Sequence, residues 1–197
     1  MNQQRSLEGC ETSKAPFGGR KIESLDDITR ELADRRLHTE YGEHIAPVKS
    51  EVLRAKPDVV EKPEEFVKKA REANLDPEGV LGFSTKLEVP GHILKGDVGQ
   101  EIATMIHEDL HRLTAPETLR EMSANDARHD LYEGVTEHFT ECASKGLYRF
   151  EPGQVCPKKV EEAERLGAEV GDKALRDWYF HHEVTEELQK ALDRIGG

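Results

Sequence analysis

A pair of histidines four residues apart, His107 and His111, constrains this chain more than any other feature. They lie in a segment that Asp97 opens as a helix cap, with Gln100 three positions later, and that Pro116 is predicted to end. An apolar stripe at helical spacing runs beside them: Ile102, Met105, Ile106, Leu110 and Leu113. Because residues i and i+4 share one helix face, the two imidazoles project side by side, as two neighbouring ligands of a tetrahedral metal ion must.

Glu108 follows His107 directly, so it lies about 100° around the helix, too offset to be an easy third ligand but close enough to reach a metal-activated water. A catalytic zinc takes three protein ligands and keeps one position open, so a third ligand is expected downstream. We predict that Glu133 is this ligand, on a second helix capped within residues 123–125. His129 and Asp130, one turn earlier, are the main competitors.

Glu137 is predicted to support the metal site from outside. It shares a helix face with Glu133, and it would accept a hydrogen bond from the outer ring nitrogen of His107. The alternative is a solvated surface carboxylate. Gly134 is predicted to let the two helices approach closely. The opposite face carries apolar side chains: Val135, Phe139 and Cys142.

The segments HEDLH and YEGVTEHF together resemble the gluzincin branch of the zincin metallopeptidases, in which a second helix supplies a glutamate, often within a Glu-Gly segment. Twenty-one residues separate His111 from Glu133, which falls in the range those enzymes use. The resemblance implies a Zn²⁺ ion at His107, His111 and Glu133, with Glu108 as general base and a protein or peptide substrate. It also implies that an edge strand, here Phe83 to Val89, binds the substrate backbone.

The transition state of peptide hydrolysis also needs a hydrogen-bond donor for the developing oxyanion. In zincins a Tyr or His from the C-terminal region usually supplies it. Tyr179 is the candidate here, followed by His181 and His182, while Trp178 and Phe180 are expected to be core aromatics. A fainter likeness to small bacterial toxin and effector metallopeptidase domains rests on general layout and on this Asp-Trp-Tyr-Phe segment.

The strict zincin pattern has uncharged residues where this chain has Asp109 and Arg112. The two residues are three positions apart and are expected to pair on the outer face of the helix.

Along the chain, residues 1–22 are expected to form a flexible arm and residues 23–197 one α+β domain, mostly helical and zincin-like, with a small sheet packed on the histidine-bearing helix. A helix is predicted from Ser24 to near Arg36, and another from Pro63.

Two strands, Phe83 to Val89 and His92 to Leu94, are predicted to follow the second helix. The chain from Pro157 is predicted to form two or three helices. They would be broken at glycines and histidines: Gly167, Gly171 and His181-His182.

Charge and composition limit the partners. The chain carries a net charge of −12, and residues 107–142 hold nine acidic and three basic side chains. This balance argues against nucleic acid and against anionic membrane surfaces as partners. No apolar run is long enough to span a membrane, and the N-terminus has no signal-like apolar region. We therefore expect a cytoplasmic location in the producing cell, or export by a dedicated secretion system.

Three sparse cysteines fit a reducing compartment, although a Cys142–Cys156 bridge is sterically allowed.

These patterns predict a zinc-dependent metallopeptidase. The alternative from another class is a non-catalytic protein, either a zinc-binding pseudo-peptidase or a helical interaction module. A zinc hydrolase that acts on a non-peptide amide is a third reading that the sequence does not separate from a peptidase.

Overall fold

A computed structural model of the chain describes residues 24–45, 57–77, 81–83, 91–147 and 157–196. The predicted N-terminal arm lies outside the described residues. The described part is α+β and mostly helical with a small sheet, which confirms the predicted fold class. Its elements are α1 (Leu25–Tyr41), β1 (Asp58–Val60), α2 (Pro63–Glu72), β2 (Gly82–Phe83), β3 (His92–Leu94), α3 (Val98–Leu113), α4 (Pro116–Met122), α5 (Asp126–Ser144), α6 (Pro157–Val170), α7 (Asp172–His181) and α8 (Glu186–Gly196).

The predicted helix caps are confirmed. Ser24 and Asp27 form a reciprocal capping box at the start of α1. The side chain of Asp97 accepts a hydrogen bond from the backbone N–H of Gln100, 3.0 Å away, at the start of α3. Asn125 caps α5 in the same way. These short polar side chains satisfy backbone donors that a helix leaves unpaired at its first turn, so the two helices of the candidate site begin where the sequence predicts.

Two predicted helix ends, at Arg36 and at Gly167, are wrong. The first helix continues past Arg36 to Tyr41, because Leu37 and Tyr41 are fully buried and the Tyr41 hydroxyl donates to the backbone carbonyl of Phe139 at 2.8 Å. Helix α3 ends at Leu113, before Pro116 as predicted, and Pro116 also begins α4, which fits the tolerance of proline in a first helical turn. Gly167 lies inside α6, whereas Gly171 does interrupt the chain, with a φ of 90° that favours glycine.

The sheet has the strand order β1-β3-β2, with β1 parallel and β2 antiparallel to the central strand β3. The predicted strand His92 to Leu94 is confirmed as β3. Strand β1 was not predicted. The predicted strand Phe83 to Val89 is described only at Phe83, which ends β2, and its remainder lies outside the described residues. The sheet packs on α3 and on α2, where the rings of Phe66 and Phe83 meet at 5.4 Å.

The main core lies between α3, α1, α5 and the C-terminal helices. Ile106 and Leu110 of α3 are fully buried, as are Val135 and Phe139 of α5. Trp178, Tyr179 and Phe180 are all buried in the same core. No helix of the described part is long and apolar enough to cross a bilayer. Helix α3 is thus held between α1 and α5, with the sheet at its side.

Gly134 permits a close helix approach, but not the predicted one. A Cβ at this position would lie 2.1 Å from the backbone oxygen of Lys159 on α6. The contact that requires glycine is therefore between α5 and α6, and not between α5 and the histidine-bearing helix α3. Helix α5 is consequently fixed from behind, by α6, while its other face meets α3.

We predict opposite stability changes for one substitution at two helical glycines. Gly134→Ala should lower the free energy of unfolding by about 1–3 kcal/mol or more, because the new Cβ overlaps the Lys159 carbonyl. Gly167→Ala should raise it by about 0.5–1 kcal/mol, since its Cβ would meet only the Leu175 side chain at 3.5 Å. Chemical denaturation of both variants measures the changes. Equal effects at the two positions would contradict the assigned contact.

Candidate metal centre

Three side chains that sequence analysis singled out, His107, His111 and Glu133, converge where α3 meets α5. One ligand atom from each lies within 4.8 Å of the other two. The two Nε2 atoms are 3.0 Å apart, and Glu133 Oε2 lies 3.7 Å from His107 Nε2 and 3.6 Å from His111 Nε2. The exposed fractions of the three side chains are 22%, 18% and 30%, so the cluster is reachable from solvent.

These three distances fit a tetrahedral metal site. For the about 2.0–2.1 Å bonds that zinc forms with nitrogen and carboxylate oxygen, the ligand atoms at two corners of a tetrahedron are about 3.3–3.4 Å apart. The observed separations of 3.0, 3.6 and 3.7 Å lie on both sides of this value. The three donors, two imidazoles and one carboxylate, are also the types found in catalytic zinc sites. The described residues therefore suit three corners of such a site.

The outer ring nitrogen of each histidine has a partner. Glu137 Oε2 lies 2.9 Å from His107 Nδ1, the contact expected from the sequence. His111 Nδ1 lies 2.7 Å from the hydroxyl of Tyr132, which the sequence analysis did not single out. With both Nδ1 atoms engaged, both Nε2 atoms face the space beside Glu133. This arrangement orients histidine ligands in metalloproteins.

The electrostatics of the cluster are set by burial and by its carboxylates. Burial opposes a charge on His107, but Glu133 and Glu137 outweigh it and raise the pKa of His107 to about 10. Burial lowers the pKa of His111 to about 4; Glu133 opposes this shift, while the charges of His107 and His129 add to it. Glu133 is also desolvated, yet the two histidines hold its pKa at about 2. The cluster thus stabilises one positive charge beside ionised carboxylates, and a cation would meet the same field.

Glu108 lies between α3 and the sheet. Its side chain is 7% exposed and sits against Gly82 of β2, where an added Cβ would be 3.3 Å from Glu108 Cγ and Oε1. A Cβ at residue 82 would also lie 2.5 Å from Thr104 Cγ2 on α3, which is too close. The strand can therefore approach α3 this closely only because residue 82 is glycine. The charge of Glu108 also contributes to the raised pKa of His107. The candidate base therefore stands beside the cluster without belonging to it.

Tyr179, the predicted oxyanion donor, is not brought to the open side of the cluster. It is fully buried, its hydroxyl lies 2.8 Å from Thr136 Oγ1, and its ring stacks on that of Tyr132 at 5.7 Å. Burial raises its pKa above the ordinary value. Tyr179 therefore supports the site from the core, and none of its described contacts reaches the histidine pair.

The other candidates are also outside the three-residue cluster. His129 is 59% exposed and its Nδ1 lies 3.9 Å from Glu133 Oε1, while Asp130 pairs with Lys159 at 2.7 Å. The ring of His181 lies 5.7 Å from that of His44, and His182 Nδ1 is 3.1 Å from Thr118 Oγ1.

Asp109 and Arg112 pair as predicted, at 2.9 Å, but on a buried face rather than the outer one. Their side chains are 3% and 2% exposed. The reason is Arg30 of α1, which is 2% exposed and forms ion pairs with both Asp109 and Asp34. Burial would lower the pKa of Arg30, but the two aspartates outweigh it and keep the guanidinium charged. Asp109, one of the two charged residues that depart from the zincin pattern, thus joins α3 to α1.

Three residues at the site were missed by sequence reasoning: Tyr132, Gly82 and Arg30. Tyr132 directly precedes Glu133, and on a helix a residue one position away points about 100° elsewhere, so its approach to His111 has no spacing signal. Arg30 is one of several charged residues in α1, and nothing in the local sequence distinguishes it from the others.

No family model, curated protein or solved structure matched this chain in the comparisons with known proteins. The interpretation of the site therefore rests on the geometry of its own residues.

We predict that removing the Arg30 charge destabilises the fold around α3. Arg30→Met should lower the free energy of unfolding by up to about 3–5 kcal/mol, because the buried Asp109 then keeps only Arg112 as a cationic partner and Asp34 loses its own. Arg35→Met is the matched control on the same helix: this side chain is 64% exposed and pairs with Glu31, so the change should be at most about 1 kcal/mol. Thermal or urea unfolding of both variants measures the difference, and a mild effect of Arg30→Met would show that the buried Asp109 does not depend on Arg30.

Proposed function

We propose that this protein is a zinc-dependent metallopeptidase, with His107, His111 and Glu133 as ligands and Glu108 as general base. The observation that carries the proposal is the set of three ligand-atom separations, 3.0, 3.6 and 3.7 Å, which matches three corners of a zinc tetrahedron. Among the described residues, the cluster that suits a metal has three members, which leaves the fourth corner to solvent or substrate.

Zinc held by these three residues would supply Lewis-acid chemistry, making a water molecule acidic near neutral pH and polarising a carbonyl oxygen. Glu108 then accepts the proton of the attacking water and delivers it to the leaving amine. Its place against Gly82, on the sheet side of α3, puts it on a different side of the helix from the face that meets α5. Glu137 and Tyr132 hold the two imidazoles with their Nε2 atoms directed inward.

An extended peptide is the substrate class that the sheet favours. Strand β2 is an outer strand of the described sheet, and its residue Gly82 contacts Glu108. A peptide that adds to such an edge hydrogen-bonds through its backbone, which brings a peptide bond close to the base. The net negative charge of residues 107–142 would favour a basic or neutral peptide over an acidic one.

The alternative, a non-catalytic zinc-binding protein, predicts a closed site with four protein ligands. The exposed fractions of the ligands favour the catalytic proposal, since Glu133 is 30% exposed. The charged residues Asp109 and Arg112 do not argue for a degenerate motif, because Asp109 pairs with both Arg112 and Arg30, which gives the charges a structural role on another side of α3.

We predict one bound zinc per chain, measured by elemental analysis of protein purified and dialysed against a weak chelator. The double variant His107→Ala, His111→Ala and the single variant Glu133→Ala should each lose it. His138→Ala on the same helix and His129→Ala are the controls and should retain it, because neither residue belongs to the three-member cluster. Full zinc content in the double variant would refute the ligand assignment. If His129→Ala loses zinc and Glu133→Ala keeps it, His129 is the third ligand in place of Glu133.

Glu108→Gln should retain zinc and lose about 10²- to 10⁴-fold of the hydrolysis rate, as expected when a general base is removed. A library of fluorescence-quenched peptides, basic and acidic, measures the rate. Glu117→Gln, an exposed residue of α4, is the matched control and should behave as the wild type. Hydrolysis that survives Glu108→Gln at full rate would remove Glu108 from the mechanism, and a zinc-loaded wild type that cleaves no peptide would favour the non-catalytic alternative.

A further inference from the structure

The hydroxyl of Tyr132 contacts His111 on the side away from Glu133. The phenol oxygen lies 2.7 Å from His111 Nδ1, and Tyr132 is 6% exposed. The ring centroids are 5.1 Å apart and the ring planes are tilted by 44°, so the two rings do not stack. A buried phenol and an imidazole at this distance share one hydrogen, and its position decides which ring nitrogen of His111 is free.

The neighbours of Tyr132 decide where that hydrogen lies. Thr114 Oγ1 donates its single proton to the backbone carbonyl of Leu110, 3.0 Å away and one turn earlier on α3. The Thr114 oxygen also lies 3.1 Å from the Tyr132 hydroxyl, and with its own proton committed it can only accept there. Tyr132 therefore donates to Thr114, which leaves the phenol oxygen as an acceptor towards His111.

A second threonine reinforces the same direction. Thr136 donates to the backbone carbonyl of Tyr132 at 3.0 Å, so the Tyr179 hydroxyl, 2.8 Å away, donates to Thr136. The side chains of Tyr179 and Tyr132 also interact, but with its proton committed to Thr136, Tyr179 does not donate to the Tyr132 oxygen. The Tyr132 oxygen is therefore left to accept the Nδ1–H of His111, 2.7 Å away.

From this chain of donors we propose that Tyr132 is a positioning residue that holds the hydrogen of His111 on Nδ1, and so keeps the lone pair of Nε2 directed at the metal position. The inference rests on the proposed function, since it treats His111 as a ligand. An imidazole in water prefers its hydrogen on Nε2, the form that cannot bind a metal through that atom. Tyr132 and Thr114 reverse this preference before any metal arrives.

The two ligands are then oriented by different chemistry. His107 is held by the carboxylate of Glu137, and His111 by a neutral hydroxyl. Glu133 already places one negative charge within 3.6 Å of His111. A neutral acceptor fixes the tautomer without adding a further charge to be desolvated beside Glu133.

The test uses Tyr132→Phe in the full chain, with Tyr41→Phe as the matched control. Tyr41 is also fully buried and also loses one hydroxyl hydrogen bond, to Phe139, but it contacts neither ligand histidine. In the metal-free protein, long-range ¹H–¹⁵N NMR spectra of the histidine rings report which nitrogen carries hydrogen. A charged His107 would itself donate to His111 Nε2, 3.0 Å away, so the compared chains all carry His107→Ala. In that background, the chain with Tyr132 and the Tyr41→Phe chain should show His111 in the Nδ1–H form, and Tyr132→Phe should shift it towards the Nε2–H form. An unchanged His111 signal in Tyr132→Phe overturns the inference.

Zinc affinity, measured by competition with a chromogenic chelator, is the second readout. Tyr132→Phe should bind zinc about 10- to 100-fold more weakly, as is usual when the outer partner of a histidine ligand is removed, and Tyr41→Phe should bind as the wild type does. Equal affinity in Tyr132→Phe and wild type overturns the inference while leaving the proposed function intact. If the wild type binds no zinc, the proposed function is refuted. The NMR comparison then still tests whether Tyr132 holds the hydrogen of His111 on Nδ1.

If Tyr132→Phe does not fold, Thr114→Val serves instead. It removes the acceptor for the Tyr132 proton and keeps the tyrosine ring, so Tyr132 becomes free to donate towards His111. The His111 signal should move in the same direction, and an unmoved signal contradicts the relay.

Discussion

The packing of α3 against α5 fixes the candidate site, because both helices bury apolar side chains beside their polar ones. Ile106 and Leu110 directly precede the two histidines of α3 and are fully buried, as are Val135 and Phe139 around Glu137 on α5. Rotating either helix would expose these side chains, at about 1.5–3 kcal/mol for each large one. The apolar contacts therefore hold the paired imidazoles opposite Glu133, and the ligand geometry follows from the core rather than from attraction among the ligands.

Successive residues of α3 face different partners, and this explains how one short segment serves several roles. His107 meets α5, Glu108 meets β2 at Gly82, and Asp109 meets Arg30 of α1. Each step of one residue turns about 100° around the helix. The ion pair on α1 and the base on the sheet side therefore do not compete for space. A buried charge pair contributes little net stability but is costly to break, so it specifies the rotation of α3 more than it strengthens the fold.

Much of this arrangement could be predicted from sequence, because helical spacing is a local signal. The convergence of His107 and His111 and the caps at Asp97 and Asn125 follow from i, i+3 and i, i+4 positions. The approach of Glu137 to His107 follows from the helix face that Glu137 shares with Glu133, once Glu133 is placed opposite the histidines. The buried role of Asp109 did not follow, since it depends on Arg30, 79 positions earlier. Gly134 was assigned to the wrong neighbour for a similar reason: a glycine signals a close approach but not which segment approaches. Strand β1 has three residues, too few to show an alternating pattern.

Tyr132 illustrates a kind of information that spacing does not carry. Its role depends on the direction of hydrogen bonds, which is set by where two threonines place their single protons. Both threonines donate to carbonyls one turn earlier in their own helices, an interaction that helical threonines make anywhere and that identifies no site by itself. Only when α3 and α5 meet do these local bonds combine, so that Thr114 must accept from Tyr132 and Tyr132 must accept from His111. In this proposal, the tautomer of His111, a candidate ligand on one helix, is set by ordinary helix hydrogen bonds together with the packing that joins the two helices.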